Sequence, residues 1–359
     1  MRAAVMRNHK LVVADIAQPK PEAGEVLVKT LACGICGSDL HALKHGERMV
    51  AASRQSGAPF VMDLKRDVVM GHEFCAEIVD FGPATERRFK PGQRVCSIPA
   101  VVRPTGVEGI GYSNDCPGGY GEYMRLTEAL LLPVPDGVPT EHAALTEPMA
   151  VGCHAVEKAR LTKDDVALVI GCGPVGLAVI AALKLKRAHP IVAADFSPRR
   201  RELAQKLGAD VVVDPKQQSP FKTWAQMASV GPGTPGLPPG LGGPALKPAV
   251  IFECVGVPGM IESVMNSAPR DARVVVAGVC MERDSIEPFF GIAKELNIQF
   301  VLGYSPDEFA ATLRNIAEGR IDVAPLITGR VGVDGVAKAF EDLASPDTHA
   351  KILVEPWHS

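Results

Sequence analysis

Two short segments near the N-terminus carry side chains that bind transition metals. The segment Cys33–His41 contains a Cys-x-x-Cys pair, and the triplet Gly71-His72-Glu73 comes later, with 35 residues between Cys36 and His72. A closed structural zinc site needs four close ligands, but the chain contains no second Cys-x-x-Cys pair. An open catalytic zinc site needs three protein ligands and a water, and Cys36, His72 and one carboxylate would supply the three.

Two carboxylates are candidates for the third ligand. Glu73 is next to His72 in the chain. Glu147 lies in the apolar segment Ala143–Ala150, where a buried carboxylate is costly without a cation beside it. The spacing leaves both candidates open.

A glycine-rich turn in the middle of the chain is typical of dinucleotide binding. The turn consists of Gly171, Cys172, Gly173, Pro174, Val175 and Gly176, and it lies between an apolar strand and a helix. Backbone N–H groups at the start of such a helix can contact a pyrophosphate because no side chain intervenes. All of these residues except Cys172 are candidate cofactor contacts.

An acidic residue after the next strand indicates which nicotinamide cofactor is used. Asp195 stands 19 residues after Gly176, where a carboxylate bonds the ribose hydroxyls and repels a 2′-phosphate. This favours NAD(H) over NADP(H), although the run Arg199–Arg201 would accommodate a phosphate. We also assign Arg200 as a cofactor contact. Further candidate contacts are Cys254, Val255 and Lys351.

The elements that position these residues follow two patterns. The first ~145 residues indicate short strands between Gly/Pro turns, which is typical of a β domain. The predicted strands there are Leu11–Asp15, Glu25–Leu31, Glu77–Phe81, Arg94–Ile98 and Glu122–Leu126. From Lys163 onward strands alternate with helices, which predicts a doubly wound parallel sheet. The predicted strands there are Val166–Ile170, Ile191–Asp195, Val211–Asp214, Val250–Glu253, Arg273–Gly278 and Ile298–Leu302, and the helices are Leu177–Lys186, Pro198–Leu207 and one near Met260–Ser267.

The end of the chain returns to mixed elements. We predict helices near Pro306–Glu318 and Val333–Leu343 and a last strand at Ala350–Glu355, and we expect this tail to rejoin the first domain. The predicted domains are 1–148 with 304–359, which is catalytic, and 149–303, which binds NAD.

The composition limits the kinds of molecule that the protein is expected to bind. The chain has 359 residues, a net charge of −3 and nine Cys. Because no basic excess is present, we expect neither nucleic-acid nor membrane binding, but a small-molecule substrate. The apolar run Val166–Leu183 is interrupted by the glycine turn, and the first residues do not look like a signal peptide. We therefore expect a cytoplasmic protein with reduced cysteines.

Four motifs in this order resemble the zinc-dependent medium-chain alcohol and polyol dehydrogenases. They are Cys33–His41, Gly71-His72-Glu73, Glu147-Pro148 and the turn Gly171–Gly176, and the resemblance covers essentially the whole chain. It implies a GroES-like, mainly β catalytic domain and a Rossmann-type domain of an α/β protein. It also implies a Zn²⁺ ion that polarises the bound alcohol so that hydride leaves for NAD⁺.

The resemblance assigns a role to each residue of the metal site. Cys36 and His72 would ligate zinc, with Glu147 third, as in the sorbitol and threonine dehydrogenase branches. Glu73 would be an alternate ligand that exchanges during turnover. Asp39 would orient His72 through its other ring nitrogen.

The resemblance also implies a proton route. Ser38 would take the alcohol proton, and His41 would pass it to solvent through the ribose. A solvated loop histidine is the alternative interpretation of His41.

The sequence departs from the family pattern in three places. Many relatives hold a structural zinc with four cysteines after the strand near Ile98, but the segment Cys96–Cys116 contains only two, so we expect one zinc per subunit. The run Glu47–Phe60 looks like an insertion, either a peripheral loop or a lid over the substrate. The stretch 231–244 has 11 Gly or Pro in 14 positions and predicts a surface loop.

The leading hypothesis is an NAD-dependent zinc alcohol dehydrogenase that acts on a primary or secondary alcohol or a polyol. One alternative is an NADPH-dependent zinc reductase of enals or ketones. Another is a non-enzymatic protein that binds the cofactor and serves as a structural or interaction module. Ile298–Leu302 is the expected edge strand of the nucleotide domain, so we expect a homo-oligomer, either a dimer or a tetramer.

Overall fold

The computed structural model describes residues 1–58, 60–234, 237, 242–345 and 347–358. The chain forms two compact units, Met1–Pro148 with Pro306–Ser359, and Met149–Ser305. The sequence placed the second boundary two residues earlier, at 303/304. Of the predicted surface loop 231–244, positions 235, 236 and 238–241 lie outside the described residues.

The described residues contain seventeen strands and ten α-helices. The strands are β1 (Arg2–Arg7), β2 (Lys10–Asp15), β3 (Glu25–Gly34), β4 (Glu73–Phe81), β5 (Arg94–Ser97), β6 (Ala100–Arg103), β7 (Gly106–Gly109), β8 (Tyr123–Thr127), β9 (Leu131–Pro133), β10 (Val166–Ile170), β11 (Ile191–Ala194), β12 (Val211–Val213), β13 (Ala249–Glu253), β14 (Arg273–Val276), β15 (Asn297–Phe300), β16 (Ile327–Val331) and β17 (Lys351–Val354). The helices are α1 (Gly37–Ser56), α2 (Thr140–Ala144), α3 (Thr146–Lys158), α4 (Pro174–Leu185), α5 (Pro198–Leu207), α6 (Pro220–Ala228), α7 (Met260–Ser267), α8 (Pro288–Lys294), α9 (Pro306–Ala317) and α10 (Val336–Leu343).

The first unit is built on a seven-stranded sheet. Its order is β16-β17-β3-β4-β5-β9, and β8 pairs with β3 beside this path. The ten-residue strand β3 is the centre of the sheet, because it pairs with β4, β8 and β17. The C-terminal strand β17 therefore belongs to the first unit, as the sequence predicts.

The second unit is a six-stranded parallel sheet with helices between the strands. Its order is β12-β11-β10-β13-β14-β15, the order of a Rossmann-type fold, so that prediction is confirmed. The central strands β10 and β13 are buried throughout, since helices cover both faces of such a sheet. Trp224 of α6 packs into this core, and its indole N–H donates to the Val166 carbonyl at 2.9 Å.

One prediction of a loop is wrong. The run Glu47–Phe60 was interpreted as an insertion loop, yet α1 continues to Ser56 and ends at Gly57, which has φ +74°. Buried Ala42, Met49 and Val50 hold α1 in place. The helix bends at His45, where the backbone leaves helical geometry. Pro59 lies outside the described residues.

Among the described residues, no helix is both long enough and apolar enough to cross a membrane.

Candidate active site

Strand register brings three chain segments to one end of the first unit's sheet. β3 ends at Gly34 and β4 begins at Glu73, and these two residues are paired. Leu353 of β17 also lies opposite Gly34, so Lys351 falls at the same end. Cys36 follows β3 by two residues and is the N-cap of α1. The register thus places a thiol, a carboxylate and an ammonium together.

Cys36, His72 and Glu73 form the candidate metal centre. One ligand atom from each lies within 4.8 Å of the others, and His72 and Glu73 are buried. Within the part of the chain that the structure describes, this is the only group of at least three His, Cys, Asp or Glu residues with that spacing. One thiolate, one imidazole and one carboxylate suit an open zinc site, because they leave the fourth tetrahedral position for a water or substrate.

Two glycines make room for this centre. A Cβ at Gly34 would lie 2.0 Å from Oε2 of Glu73, so any larger residue displaces that carboxylate. Gly71 has φ +100°, and a Cβ there would lie 2.7 Å from the Tyr120 ring and 2.9 Å from Sγ of Cys33. The glycine before His72 is therefore required by both its backbone conformation and its neighbours.

Asp39 lies behind the imidazole of His72. The two side chains approach to 3.4 Å between Nδ1 and Oδ1, and Nδ1 is buried without a hydrogen-bond partner among the described residues. Metal-bound histidines usually donate their second ring N–H to such a carboxylate, so a small shift would complete the bond. The expected orienting role of Asp39 matches this arrangement.

The surroundings of His72 favour a positive charge. Burial alone lowers the pKa of His72, but Asp39 and Cys36 beside it raise that pKa well above its usual value. Burial alone raises the pKa of Asp39, yet His72 and hydrogen bonds from Tyr120 and the Cys36 N–H hold it below its usual value. A divalent cation satisfies the same anionic groups as an imidazolium does, so these residues fit a zinc ion.

Lys351 has a different role from the one expected. The sequence assigns it as a cofactor contact, but its ammonium is buried and lies 2.7 Å from both oxygens of Glu73 and 3.0 Å from the Ile35 carbonyl. These three bonds use all of its N–H donors. Burial alone lowers the pKa of Lys351, but Glu73 and Cys36 raise it, so the lysine stays charged. Lys351 therefore neutralises Glu73.

Glu147 lies in the first turn of α3 and is 9% exposed. It helps to raise the pKa of Lys351, which puts it within electrostatic reach of the Lys351–Glu73 pair. The group of ligand atoms within 4.8 Å contains Glu73 and not Glu147. The ion pair with Lys351 engages both oxygens of Glu73.

Ser38 and His41 lie on the first turns of α1, three residues apart, which puts them on neighbouring positions of one helix face. Ser38 Oγ is 2.8 Å from the hydroxyl of Tyr112. His41 is half-buried, and burial together with His45 and Lys44 lowers its pKa. The imidazole of His41 is therefore neutral and able to accept a proton at neutral pH.

The remaining cysteines of the first unit have other surroundings. Cys33 is fully buried in β3, and burial raises the pKa of its thiol. Cys96 donates to the Ala143 carbonyl at 3.1 Å. Cys116 lies 3.8 Å from Arg103 and 3.6 Å from Glu108. The two cysteines of the segment 96–116 thus have different neighbours, and the positive charge of Arg103 lies beside Cys116.

An ion network surrounds Arg103. Its guanidinium bonds Glu25 at 3.0 Å and also bonds Glu108, while Arg125 bonds Glu22 at 2.6 Å. Glu25 is 1% exposed, so its charge is compensated inside the protein. The β6–β7 hairpin is held to β3 by these charges.

The glycines of the turn Gly171–Gly176 serve two different purposes. A Cβ at Gly176 would lie 1.8 Å from the Gly171 carbonyl oxygen, and Gly171 itself has φ +89° and packs against Val255. These two glycines are required by the fold. A Cβ at Gly173 would meet only Nη1 of Arg200, at 3.9 Å. Its position at the N-cap of α4 is therefore open to a ligand, as a pyrophosphate needs.

Asp195 lies beside this turn. Its Oδ2 accepts from the Cys172 N–H and its Oδ1 from the Ser197 N–H, both at 2.8 Å. Nη1 of Arg200 is 3.9 Å from Oδ2, and the buried Nε of Arg200 lacks a hydrogen-bond partner within the described residues. The carboxylate of Asp195 can accept hydrogen bonds from ribose hydroxyls, and the guanidinium of Arg200, with an N–H left unsatisfied by the rest of the described chain, can bind an anion.

Cys254 and Val255 follow β13 and border the same turn. Val255 is 39% exposed, and its N–H donates to Glu253 at 2.7 Å. The Cβ of Cys254 lies near Gly176. Their position suits the expected cofactor contacts.

Sequence reasoning missed two phenols. Tyr112 and Tyr120 both donate to Asp39, at 2.9 Å and 2.6 Å respectively. Burial and the Asp39 carboxylate raise the pKa of both hydroxyls well above the usual value, so both stay protonated. Both lie more than 70 residues from Asp39 in the chain, and no motif spacing connects them to it.

Comparison with known proteins finds family models and relatives that are zinc-type alcohol dehydrogenases. Residues 22–136 match the family model "Alcohol dehydrogenase GroES-like domain", and residues 174–318 match "Zinc-binding dehydrogenase". The (R,R)-butanediol dehydrogenase of Bacillus subtilis (strain 168) is 34% identical over 99% of this chain and 100% of its own length. The sorbitol dehydrogenase of Bos taurus is 30% identical over 95% of this chain and 94% of its own length.

A solved structure has the same fold. It is that of a protein from Sinorhizobium meliloti 1021, described as a zinc-binding dehydrogenase bound to NADP, with a TM-score of 0.79 and 26% identity over 99% of both chains. The GroES-like and Rossmann-type expectations are confirmed by these matches. The chain belongs to the zinc-type medium-chain alcohol dehydrogenase family and is an oxidoreductase that acts on alcohols.

Proposed function

We propose that the protein is a zinc-dependent dehydrogenase that oxidises a secondary alcohol of the diol or polyol class with NAD⁺. The observation that carries this proposal is the group Cys36, His72 and Glu73, with Ser38 and His41 on the adjacent helix. The similarity to butanediol and sorbitol dehydrogenases supports the substrate class.

Each residue of the candidate metal site would have a distinct role. Cys36 and His72 would hold zinc, and Glu147 would be the resting third ligand because Lys351 engages both oxygens of Glu73. Zinc, when bound, supplies the positive charge that polarises the substrate oxygen. Glu73 would replace Glu147 only when it leaves Lys351.

The chain's own residues would handle the proton. Ser38 would take the proton of the substrate hydroxyl while it releases its own, and neutral His41 would accept the released proton and deliver it to solvent. Asp39 keeps the ring of His72 oriented.

The cofactor would be NAD(H). The turn Gly171–Gly176 would receive the pyrophosphate, and the carboxylate of Asp195 would bond the ribose and repel a 2′-phosphate. Arg200 lies close enough to reduce that repulsion. NADP(H) would therefore bind more weakly than NAD(H) but would not be rejected, and the alternative of an NADPH-dependent reductase rests on the same arginine.

We also propose one zinc per chain. The segment Cys96–Cys116 would carry no metal, because Arg103 and its ion network hold that hairpin.

A homodimer through the second unit's sheet would complete the assembly. β15 is an edge strand of this sheet, and Phe300 within it and Leu302 just after it are 63% and 72% exposed. Two copies pairing at this edge would cover both side chains. All nine cysteines are free, which suits the reducing cytoplasm as its location.

A substrate panel tests the proposed activity. The three stereoisomers of 2,3-butanediol, sorbitol, threonine and simple secondary alcohols are assayed with NAD⁺ and NADP⁺, in both directions, on protein with measured zinc content. We expect turnover of at least one vicinal diol or polyol and a lower Kd for NADH than for NADPH. Turnover confined to NADPH-dependent reduction of enals or ketones would favour the alternative.

A further inference from the structure

The hydroxyl of Tyr112 connects Ser38 to Asp39. It lies 2.8 Å from Ser38 Oγ and 2.9 Å from Oδ1 of Asp39, and Tyr112 is 4% exposed. Its ring also lies 5.2 Å from that of His72. Tyr112 therefore contacts both the residue that orients the metal-binding histidine and the residue that meets the substrate.

A count of protons fixes the direction of both hydrogen bonds. A phenol has one proton, and the Asp39 carboxylate is an acceptor only, so the Tyr112 proton points to Asp39. The Tyr112 oxygen then accepts, and Ser38 must donate its single proton to that oxygen. The lone pairs of Ser38 Oγ are left to face elsewhere, which makes Ser38 an acceptor in the resting protein.

The position of Tyr112 is itself fixed. Its N–H donates to the Gly109 carbonyl at the end of β7, and its carbonyl accepts from the Val61 N–H, both at 3.2 Å. The ring of Phe60 packs edge-on against it at 4.9 Å. Tyr112 follows the β6–β7 hairpin, within the segment Cys96–Cys116. In this chain that segment contributes a side chain to the catalytic region.

We propose that Tyr112 is a positioning residue that fixes the Ser38 hydroxyl as the acceptor for the substrate hydroxyl. The inference rests on the proposed function, because it requires that Ser38 meets the alcohol. Without the Tyr112 oxygen, the Ser38 hydroxyl would rotate among its staggered positions and would point its proton at the substrate in part of the molecules.

Tyr120 provides the matched control. Its phenol also donates to Asp39, at 2.6 Å, but Ser38 bonds Tyr112 instead. Tyr112→Phe and Tyr120→Phe therefore remove the same kind of bond to Asp39, and only the first removes the bond to Ser38.

The kinetic test is a double-mutant cycle with Ser38→Ala, on zinc-loaded protein. We expect Tyr112→Phe to lower kcat about tenfold, the loss of one well-placed hydrogen bond, and to change the KM for the alcohol less than about twofold. In the Ser38→Ala background Tyr112→Phe should cause no loss beyond the one that Tyr120→Phe causes, because only the bond to Asp39 is left to remove. Tyr120→Phe should have the same effect in both backgrounds. An equal loss from Tyr112→Phe in both backgrounds, or a wild-type kcat, would overturn the proposal.

A second measurement needs neither metal nor turnover. The chain has four tyrosines, so protein labelled with ¹³C at tyrosine Cζ gives a spectrum simple enough to assign with the two Phe variants. Ser38→Ala should shift the Tyr112 signal and leave the Tyr120 signal in place. If Tyr112→Phe failed to fold, Phe variants of the other three tyrosines would assign the Tyr112 signal by elimination. A Tyr112 signal that does not move in Ser38→Ala would contradict the contact.

The two proposals fail in different ways. If the wild-type protein oxidises no alcohol, the proposed function is wrong. If the wild-type protein is active but the double-mutant cycle is additive, the positioning role of Tyr112 is wrong and the proposed function stands.

Discussion

Removal of the Lys351 ammonium should destabilise the first unit strongly. Lys351 and Glu73 have side chains 2% and 1% exposed, so Lys351→Met leaves a carboxylate buried without a partner. Breaking a buried pair from one side costs about 3–5 kcal/mol. The structure supports the upper part of that range, because both Glu73 oxygens lose a bond of 2.7 Å at once.

The assay is equilibrium unfolding in urea on protein freed of metal by a chelator, monitored by a probe of the first unit. Glu73→Gln/Lys351→Met provides the control, since removing both charges should recover most of the loss. Adding zinc to Lys351→Met should also recover part of it, because the metal position adjoins Glu73. A Lys351→Met protein within about 1 kcal/mol of the wild type, or a double variant less stable than either single one, would refute this account of the ion pair.

Four substitutions in the second unit carry further predictions. Gly173→Ala should keep the thermal stability of the wild type, because its Cβ would enter open space at the N-cap of α4. The same Cβ would occupy space that the pyrophosphate needs, so NADH binding should weaken about tenfold or more. Thermal unfolding measures the stability, and calorimetry measures NADH binding. Gly176→Ala should cost about 1–3 kcal/mol or prevent folding, since its Cβ would lie 1.8 Å from a backbone oxygen; equal stability of the two variants would contradict the assignment. Asp195→Asn should raise the ratio of NADP⁺ to NAD⁺ use by about 10-fold to 100-fold, the worth of one charge-assisted bond, and an unchanged ratio of kcat/KM values would contradict it. Phe300→Lys should lower the mass seen by light scattering from twice the 38.0 kDa chain mass to that mass, and an unchanged mass would exclude this edge as the interface.

The sequence predicted the second unit well because its signals are local. Val166–Ile170 and Pro198–Leu207 have the predicted bounds, since an apolar run or a Pro after a Ser N-cap marks the ends of an element. The glycine turn was found for the same reason. Helix α1 was not predicted, because Gly37 and Gly46 weaken the helical pattern.

The candidate metal site was only partly predictable. Cys36 and His72 belong to recognisable motifs, and strand register brings them together. The partners of Asp39 and Glu73 depend on long-range contacts: Tyr112 is 73 residues from Asp39 and Lys351 is 278 residues from Glu73. A lone tyrosine or lysine carries no pattern that reveals such a partner, so these roles required the packed structure.

Zinc content measured together with activity on one sample tests the central claim most directly. The wild-type protein should contain one zinc per chain, lose alcohol oxidation when a chelator removes it, and recover when zinc is restored. Cys36→Ser should lose the metal, while Cys116→Ser should keep one zinc per chain. Two zinc ions per chain, full activity without metal, or a Cys36→Ser protein that retains its zinc would contradict the account.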